Sequence, residues 1–317
     1  MSDCSRHDIC KARLPLPFRL DHVNCYAVRG ADGWSIVDTG LNYEPSRQAW
    51  GRFMREHGFT PQDITGIYIT HHHPDHYGSA GWLQELSGAP VYMNPTEAER
   101  AATMWREDIS EWLSAMFVEN GMPPEVMPDL LGEVALMQSR TRPHPVITPL
   151  TAEEVRLGDR QWRVLVTPGH SDGHTCFYDG ERRLLLSGDH LLPQISSNIS
   201  LWPHSHPDPL EDFLTSLAAN RGLQGTALPG HGLAFDGIEQ RLTQLEDHHR
   251  DRLALMRQIA VRGATPYQVA REVFGEVLTL HEVRFAVTET LAHLNYLERR
   301  GLLVKDRVNG VLRYSGA

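Results

Sequence analysis

The sequence has no long apolar run. Among its 317 residues, no hydrophobic stretch approaches the roughly 20 residues that a membrane-spanning helix needs. The first eight residues, MSDCSRHD, also lack the apolar core of a secretory signal. These absences argue against a membrane or secreted protein, and we expect a cytoplasmic chain with no membrane partner.

Cysteine is scarce as well. The four cysteines, Cys4, Cys10, Cys25 and Cys176, show none of the paired spacings that are typical of thiolate metal sites. Disulfides or a thiolate zinc site are alternatives, but in a reducing compartment we expect free structural thiols.

Positive charge is the third shortage. Thirty Lys and Arg face forty Asp and Glu, which gives a net charge of −10. The deficit is uneven, because residues 1–240 carry −13 and residues 241–317 carry +3. Non-specific binding to nucleic acid requires Lys and Arg to neutralise phosphates. The acidic main body therefore makes nucleic acid an unfavourable partner, although a local basic groove is compatible with these counts.

The length predicts two domains, or one large domain with additions, because one compact core rarely extends over 317 residues. Residues 1–240 alternate strand-like and helical segments, and 95–145 are rich in helix formers, Met and Trp. We interpret 95–145 as a helical insertion whose apolar side chains form either ordinary core or the lining of a substrate pocket. Residues 241–317 predict three helices, the second capped by Thr265 and Gln268, and a β-hairpin turning at Asn309-Gly310.

Residues 70–83, THHHPDHYGSAGWL, place four histidines and an aspartate within seven positions. Residues 64–70 have the β-branched and aromatic content of a buried strand, so the histidines begin where that strand ends. Three later segments repeat the pattern of an apolar run, a small turn and a potential metal ligand. Those ligands are His170, Asp189 and His231.

This pattern predicts a centre of two metal ions at the ends of several strands. Neutral imidazoles bind zinc well, and a carboxylate can bridge two cations and offset their repulsion. In one loop, His71 and His73 can face one metal while Asp75 and His76 face the other. His170 and His231 would complete the two sets, with Asp189 between them.

The spacing resembles the H-x-H-x-D-H signature of the metallo-β-lactamase superfamily, from Asp38-Thr39-Gly40 to Pro229-Gly230-His231-Gly232. The resemblance implies an α/β fold, specifically an αββα sandwich. It implies one metal held by His71, His73 and His170, a second held by Asp75, His76 and His231, and a bridging Asp189. Asp38 matches the carboxylate that orients a ligand imidazole in this family. The expected cofactors are two divalent ions, zinc first, with iron or manganese as alternatives.

Two functional classes follow. The first is a metal-dependent hydrolase of a small ester, thioester or lactone, in which a metal-bridging hydroxide attacks and Asp75 acts as a catalytic residue. The second is a metal-dependent endoribonuclease that acts on single-stranded RNA. The ligand set alone does not choose between a carbonyl and a phosphoryl substrate.

Residues 241–317 resemble the winged-helix domain that is attached to one branch of the superfamily. In such a domain the helix predicted at 281–299 would read nucleic acid, but it mixes Glu282, Glu289 and Glu298 with Arg284 and Arg299. This face is not basic. We therefore expect it to close the pocket or bind a partner rather than DNA, and we expect a small-molecule substrate and a homodimer.

Overall fold

The computed structural model describes residues 8–106, 108–275 and 278–317. Within these ranges the chain forms two six-stranded sheets and one two-stranded sheet. The strands are β1 Ile9–Pro15, β2 His22–Gly30, β3 Gly33–Val37, β4 Ile64–Ile69, β5 Val91–Met93, β6 Ile147–Pro149, β7 Glu154–Leu157, β8 Arg160–Val166, β9 Thr175–Asp179, β10 Leu184–Gly188, β11 Thr226–Pro229, β12 Phe235–Asp236, β13 Leu303–Val308 and β14 Val311–Gly316. The α-helices are α1 Glu44–His57, α2 Pro74–Tyr77, α3 Ala80–Ser87, α4 Pro95–Arg106, α5 Ser110–Glu119, α6 Met127–Ser139, α7 Pro209–Ala219, α8 Ile238–Ala260, α9 Pro266–Phe274 and α10 Leu280–Arg299.

The two large sheets pack face to face. The first has the order β1-β2-β3-β4-β5-β6 and the second the order β12-β11-β10-β9-β8-β7. Alternate residues of both sheets, including Val28 and Tyr68 from the first and Trp162 and Phe177 from the second, form one buried cluster between them. Removing this apolar surface from water is the main force that holds the sheets together.

Helices cover the outer faces of both sheets. On the first sheet the buried cluster includes Trp50 and Phe53 of α1 and Leu83 of α3. On the second it includes Phe213 of α7 and Leu242 of α8. The layers are therefore helix, sheet, sheet and helix, which confirms the predicted αββα sandwich.

The sheet topology brings several strand ends to one edge. β3 and β4 are parallel neighbours in the first sheet, and β10 and β11 are parallel neighbours in the second. The chain therefore leaves each pair on the same side. Residues that directly follow these strands, such as Asp38, Thr70, Asp189 and His231, are collected at that edge.

The predicted insertion lies between β5 and β6, which pair in parallel, and consists of α4, α5 and α6. Its Met116 and Phe117 are buried in a cluster that also contains Val283 and Val287 of α10. These side chains form ordinary core, shared with the C-terminal helices, which was one of the two expectations for the insertion.

The C-terminal segment contains the predicted helices and hairpin. Thr265 and Gln268 form the expected capping box at the start of α9. The turn at Asn309-Gly310 has the positive φ angles of 51° and 83° that a tight hairpin turn requires. Helix α8 runs through residue 240, so the predicted boundary at 240/241 falls inside a helix, and it stays a prediction.

The cysteines differ in state. Cys25 and Cys176 are buried free thiols, as expected. Cys10 is disulfide-bonded, so the expectation of a free thiol was wrong for this residue. Cys4 lies outside the described residues. In the described part of the chain, no helix combines the length and apolar character needed to cross a bilayer.

Candidate metal centre

The histidine motif follows β4 directly. His73 occupies the position before α2, with Pro74 as the first helical residue, so that Asp75 and His76 lie in the first turn of this short helix. The turn brings His71, His73, Asp75 and His76 to one side of the loop, where His170, Asp189 and His231 arrive from the second sheet.

The structure places the seven predicted ligands in three overlapping groups. In each group the candidate ligand atoms lie within 4.8 Å of one another. The groups are His71, His73 and His170; His71, His76 and Asp189; and Asp75, His76 and His231. The first and last groups have the same composition as the two sets that the sequence predicts.

Asp189 lies between those two sets. Its Oδ1 is 3.4 Å from the Nε2 of His76, while its Oδ2 is 3.6 Å from the Nε2 of His170 and 3.4 Å from that of His231. Asp75 Oδ2 is 3.3 Å from the same His231 nitrogen. One carboxylate of Asp189 therefore faces histidines of both sets, as a bridging ligand must.

Four of the histidines are held by hydrogen bonds through Nδ1. The Nδ1 of His76 donates to Asp38 Oδ2 over 2.8 Å. The backbone carbonyls of Asn198 and His22 accept from His170 and His231 over 2.8 and 2.7 Å. Such bonds fix the tautomer and leave Nε2 free to bind a metal.

His71 is held through a relay that starts at Asp38. The backbone N–H of Thr70 donates to Asp38 over 2.8 Å, and the Thr70 hydroxyl donates to the same carboxylate. Because that hydroxyl has only one proton, its oxygen accepts from His71 Nδ1, 2.9 Å away. Asp38 therefore orients two histidines, and it does so at a left-handed φ of 61°.

The electrostatics separate the histidines into two kinds. Burial lowers the pKa of His71, His73 and His170, reinforced by neighbouring imidazoles at His71 and His73, which keeps these rings neutral. Burial also opposes the charged form of His231, but the carboxylates of Asp189 and Asp75 outweigh it and raise its pKa to about 10. The carboxylates attract positive charge to this side of the cluster.

Two observations show that the cluster fits metal ions. His76 Nε2 and Asp189 Oδ1 are fully buried and make no hydrogen bond to described residues. A side chain at Gly230 would also intrude, because its Cβ would lie 2.4 Å from Asp189 Oδ1 and 2.8 Å from His76 Cε1. Buried nitrogen and oxygen atoms without partners, in a space kept open by glycine, are suited to divalent cations.

The comparisons with known proteins agree with this geometry. Residues 18–231 match the family model of the metallo-beta-lactamase superfamily, and residues 253–317 match that of its metallo-beta-lactamase-like C-terminal domain. The chain belongs to the metallo-β-lactamase superfamily. Members bind divalent metals, and the chain is a metal-dependent hydrolase of this superfamily.

Several superfamily relatives extend over most of the chain. A metallo-β-lactamase family protein from Thermus thermophilus has 33% identity and a TM-score of 0.87, with 98% of this chain and 99% of that chain covered. "Probable metallo-hydrolase YqjP" of Bacillus subtilis is 28% identical, with 92% of each chain covered. Acyl-coenzyme A thioesterase MBLAC2 of Gallus gallus is 27% identical, with 76% of this chain and 82% of the relative covered.

His72, at a variable position within the superfamily signature, belongs to none of the three ligand groups. Its Nδ1 lies 2.6 Å from Glu97 Oε2, and the same oxygen accepts from its backbone N–H over 2.7 Å. The other oxygen of Glu97 accepts from the N–H of Gly173 over 2.6 Å. Glu97 therefore ties the motif loop to the loop that carries His170, and sequence reasoning missed it because it lies in a helix 25 residues further on.

The structure shows two more residues, His174 and Thr70, that position ligands and to which the sequence analysis assigned no such role. His174 is fully buried, and its Nε2 accepts from the backbone N–H of Asp189 over 3.1 Å. Thr70 completes the relay to His71 described above. Thr70 adjoins the superfamily signature, which is a usable signal, whereas nothing local in the sequence marks His174.

Proposed function

We propose that this enzyme hydrolyses a small ester, thioester or lactone at a centre of two divalent metal ions. The observation that carries the proposal is the position of Asp189, whose two oxygens face histidines of both sets. His71, His73 and His170 would hold one ion, Asp75, His76 and His231 the other, and Asp189 would contribute to both. A ligand set of imidazoles and carboxylates favours zinc, with iron or manganese as alternatives.

The ions would lower the pKa of a bound water toward 7 and polarise the substrate carbonyl, which supplies a nucleophile near neutral pH. The residues of the chain would orient these partners. Asp75, with its side chain 19% exposed, can accept a hydrogen bond from the attacking water and hold its proton as the carbonyl carbon is attacked. The water oxygen ends in the carboxylate product, the acyl C–O or C–S bond breaks, and the proton held by Asp75 passes to the alcohol or thiol, which in a lactone stays attached to the product. The name of the Gallus gallus relative supports a thioester among these substrates.

The role of residues 241–317 belongs to the same proposal. We infer that this unit, whose winged-helix character stays a prediction, supports and closes the metal site. Helix α10 contacts the loop of Asn198, since Asn198 Nδ2 donates to Glu289 Oε2 over 2.9 Å. The carbonyl of that same Asn198 accepts from His170. A cytoplasmic location and a homodimer stay predictions.

One experiment tests the proposal as a whole. The protein is stripped of metal, reconstituted separately with zinc, iron and manganese, and measured for bound ions per chain and for turnover of esters, thioesters, lactones and single-stranded RNA. We expect two ions per chain and turnover of at least one carbonyl class. At most one ion after saturating reconstitution, or no carbonyl turnover with any metal, would contradict it.

A further inference from the structure

Arg284 is a largely buried cation to which none of the described residues supplies an acceptor. It lies in the first half of α10 and is 8% exposed. Its guanidinium makes no hydrogen bond and no ion pair to any described residue. Its Cζ lies 4.6 Å from the ring centroid of Phe285 and 6.0 Å from that of Trp202.

The aromatic contacts do not satisfy the guanidinium. Ring faces attract the positive charge, but they accept few of the five N–H groups, which point in fixed directions in the plane. Burial lowers the pKa of Arg284 to about 10, with Glu133 opposing this shift, so the side chain stays charged at neutral pH. The small exposed fraction still lets a ligand reach the guanidinium, and an acceptor there would offset the cost of removing most of this charge from water.

A short route of hydrogen bonds connects the backbone beside Arg284 to the metal centre. The carbonyl of the adjacent Phe285 accepts from Asn198 Nδ2 over 3.4 Å, and the carbonyl of Asn198 in turn accepts from His170. One turn earlier on α10, the ring of His281 stacks on Phe18 at 4.3 Å.

His281 lies within electrostatic range of both Arg284 and the predicted ligand Asp75. Burial and then the charge of Arg284 lower the pKa of His281 to about 4, while the Asp75 carboxylate acts in the opposite direction. Phe285, the neighbour of Arg284, lies two hydrogen bonds from the predicted ligand His170, which brings this part of α10 beside the metal centre.

We propose that Arg284 binds an anionic group, a carboxylate or a phosphate, of the substrate whose carbonyl reacts at the metal centre. This inference rests on the proposed function and names its substrate class as anionic acyl compounds. The planar guanidinium fork matches both oxyanions with paired, charge-assisted hydrogen bonds. Arg284 would then select the substrate by charge, while the metal ligands act on its carbonyl.

Two matched substrate pairs test the proposal and separate the sources of the anion. Glutaryl and pentanoyl thioesters of N-acetylcysteamine differ by a carboxylate on the acyl side. Pentanoyl-coenzyme A carries phosphates on the thiol side, together with a pantoyl group and an adenosine, that the pentanoyl N-acetylcysteamine thioester lacks. In the metal-loaded wild type, we expect kcat/KM to favour the anionic member of one pair by about tenfold or more.

Arg284→Met keeps the apolar stem and removes the charge. We expect it to reduce the preference to about twofold or less, while kcat/KM for the neutral member changes little. The matched control is Arg299→Met, at the other end of the same helix, where the side chain is 49% exposed and lies 3.4 Å from Asp208. The control should keep the preference. No preference in the wild type, or an unchanged preference in Arg284→Met, overturns the proposal.

A binding measurement keeps this test separate from the proposed function. Glutarate and inorganic phosphate are titrated into the metal-loaded wild type and Arg284→Met, and thermal stabilisation is measured. We expect at least one anion to bind the wild type at least fivefold more tightly than the variant. Equal binding overturns the anion site even if thioesters are hydrolysed. Arginine-dependent binding without any turnover supports the anion site and overturns the proposed function instead.

Glu133→Gln adds an independent check. Glu133 is the carboxylate whose charge acts on Arg284, and it competes with a bound anion. Its neutralisation should leave anion binding equal or tighter. Weaker anion binding in Glu133→Gln would mean that the anion does not share Arg284 with this carboxylate, which contradicts an anion site at the guanidinium.

Discussion

At the scale of single residues, Asp75 is the carboxylate of the metal centre whose side chain is most exposed to a substrate. Its side chain is 19% exposed, against 10% for Asp189, and it touches His231 and His76 at 3.3 and 3.7 Å. Asp75→Asn keeps the size and removes the charge that holds the proton of the attacking water. We expect kcat to fall by about 10²- to 10⁴-fold, with the melting temperature nearly unchanged.

The control for this substitution is Asp32→Asn, a turn residue whose side chain is 83% exposed. It should have wild-type kinetics. Wild-type kcat in Asp75→Asn, measured with equal metal content, would remove Asp75 from the mechanism.

Asp38 is not a predicted metal ligand but holds two predicted ligands in place. Its carboxylate receives bonds from the Thr70 backbone, the Thr70 hydroxyl and His76, so it orients both His76 and, through Thr70, His71. In Asp38→Asn one oxygen becomes an NH₂ group that cannot accept, while the left-handed φ of 61° still suits Asn. We expect metal affinity to fall by about 10- to 100-fold in a competition with a chelator.

Asp179→Asn is the matched control, because Asp179 is also buried and accepts two backbone N–H bonds, but at the end of β9. It should lower stability without changing metal affinity. If both variants lost metal equally, the effect would come from general destabilisation and not from the relay.

At the scale of helices and strands, the sequence predicted elements that depend on nearby residues better than elements that depend on distant ones. The capping box of α9 and the hairpin turn at Asn309-Gly310 are each determined by residues within four positions, and both are present as predicted. The strand before the histidines is likewise readable from its own apolar pattern. The short strands β5 and β6 were not predicted, because their three residues each gain stability only from their neighbours in the sheet.

The same distinction applies to the candidate site. The seven predicted ligands follow strands, so sequence pattern and family resemblance together could select them, and the structure brings them together. Glu97 and Asn198 could not be selected in this way. Each acts on the site through a contact between segments that are distant in sequence, and each has the local context of an ordinary helix or loop residue.

Helix α4 contributes to the site through Glu97. Its buried carboxylate accepts from His72 twice and from Gly173, and Trp105 of the same helix donates to the carbonyl of His72 over 2.6 Å. Glu97→Gln replaces one acceptor by a donor, and we expect a loss of about 1–3 kcal/mol in the free energy of unfolding. Metal affinity should fall as well, because both ligand loops lose an anchor.

The control is Glu99→Gln, an exposed residue of the same helix. The pH dependence distinguishes the charge from packing. Burial opposes ionisation of Glu97, but His72 and the backbone donors outweigh it and lower its pKa. Because the pKa of Glu97 is lower in the folded state, its ionised carboxylate stabilises the fold fully at pH values above the unfolded pKa of about 4.3. This stabilisation is lost as the pH falls through the folded-state pKa. The difference in the free energy of unfolding between the wild type and Glu97→Gln should therefore become smaller at acidic pH. A difference that does not change with pH would mean that packing, not charge, causes the effect.

At the scale of the whole molecule, the insertion and the C-terminal unit share one buried core. Residues of α5, α6, α9 and α10 share a buried cluster, and α8 continues from the second sheet into the C-terminal core. Helix α10 is consequently an internal element: thirteen of its twenty residues are buried. A helix in this position cannot enter a groove of nucleic acid without unpacking.

Charge and burial together lead to the last prediction, that the protein binds single-stranded RNA only weakly while it hydrolyses a small carbonyl compound. Residues 1–240 carry −13, so a polyanion approaches against the field of the main body, and added salt weakens any phosphate contact further. Metal ions and the +3 of residues 241–317 act in the opposite direction, but the helix that would present an RNA-binding face is buried. A labelled RNA should therefore bind with a Kd no tighter than about 10⁻⁶ M at physiological salt, as measured by fluorescence anisotropy. Metal-dependent RNA cleavage that disappears in His73→Ala, together with no turnover of esters, thioesters or lactones, would reverse this assignment, because one centre would then be shown to act on phosphoryl and not on carbonyl groups.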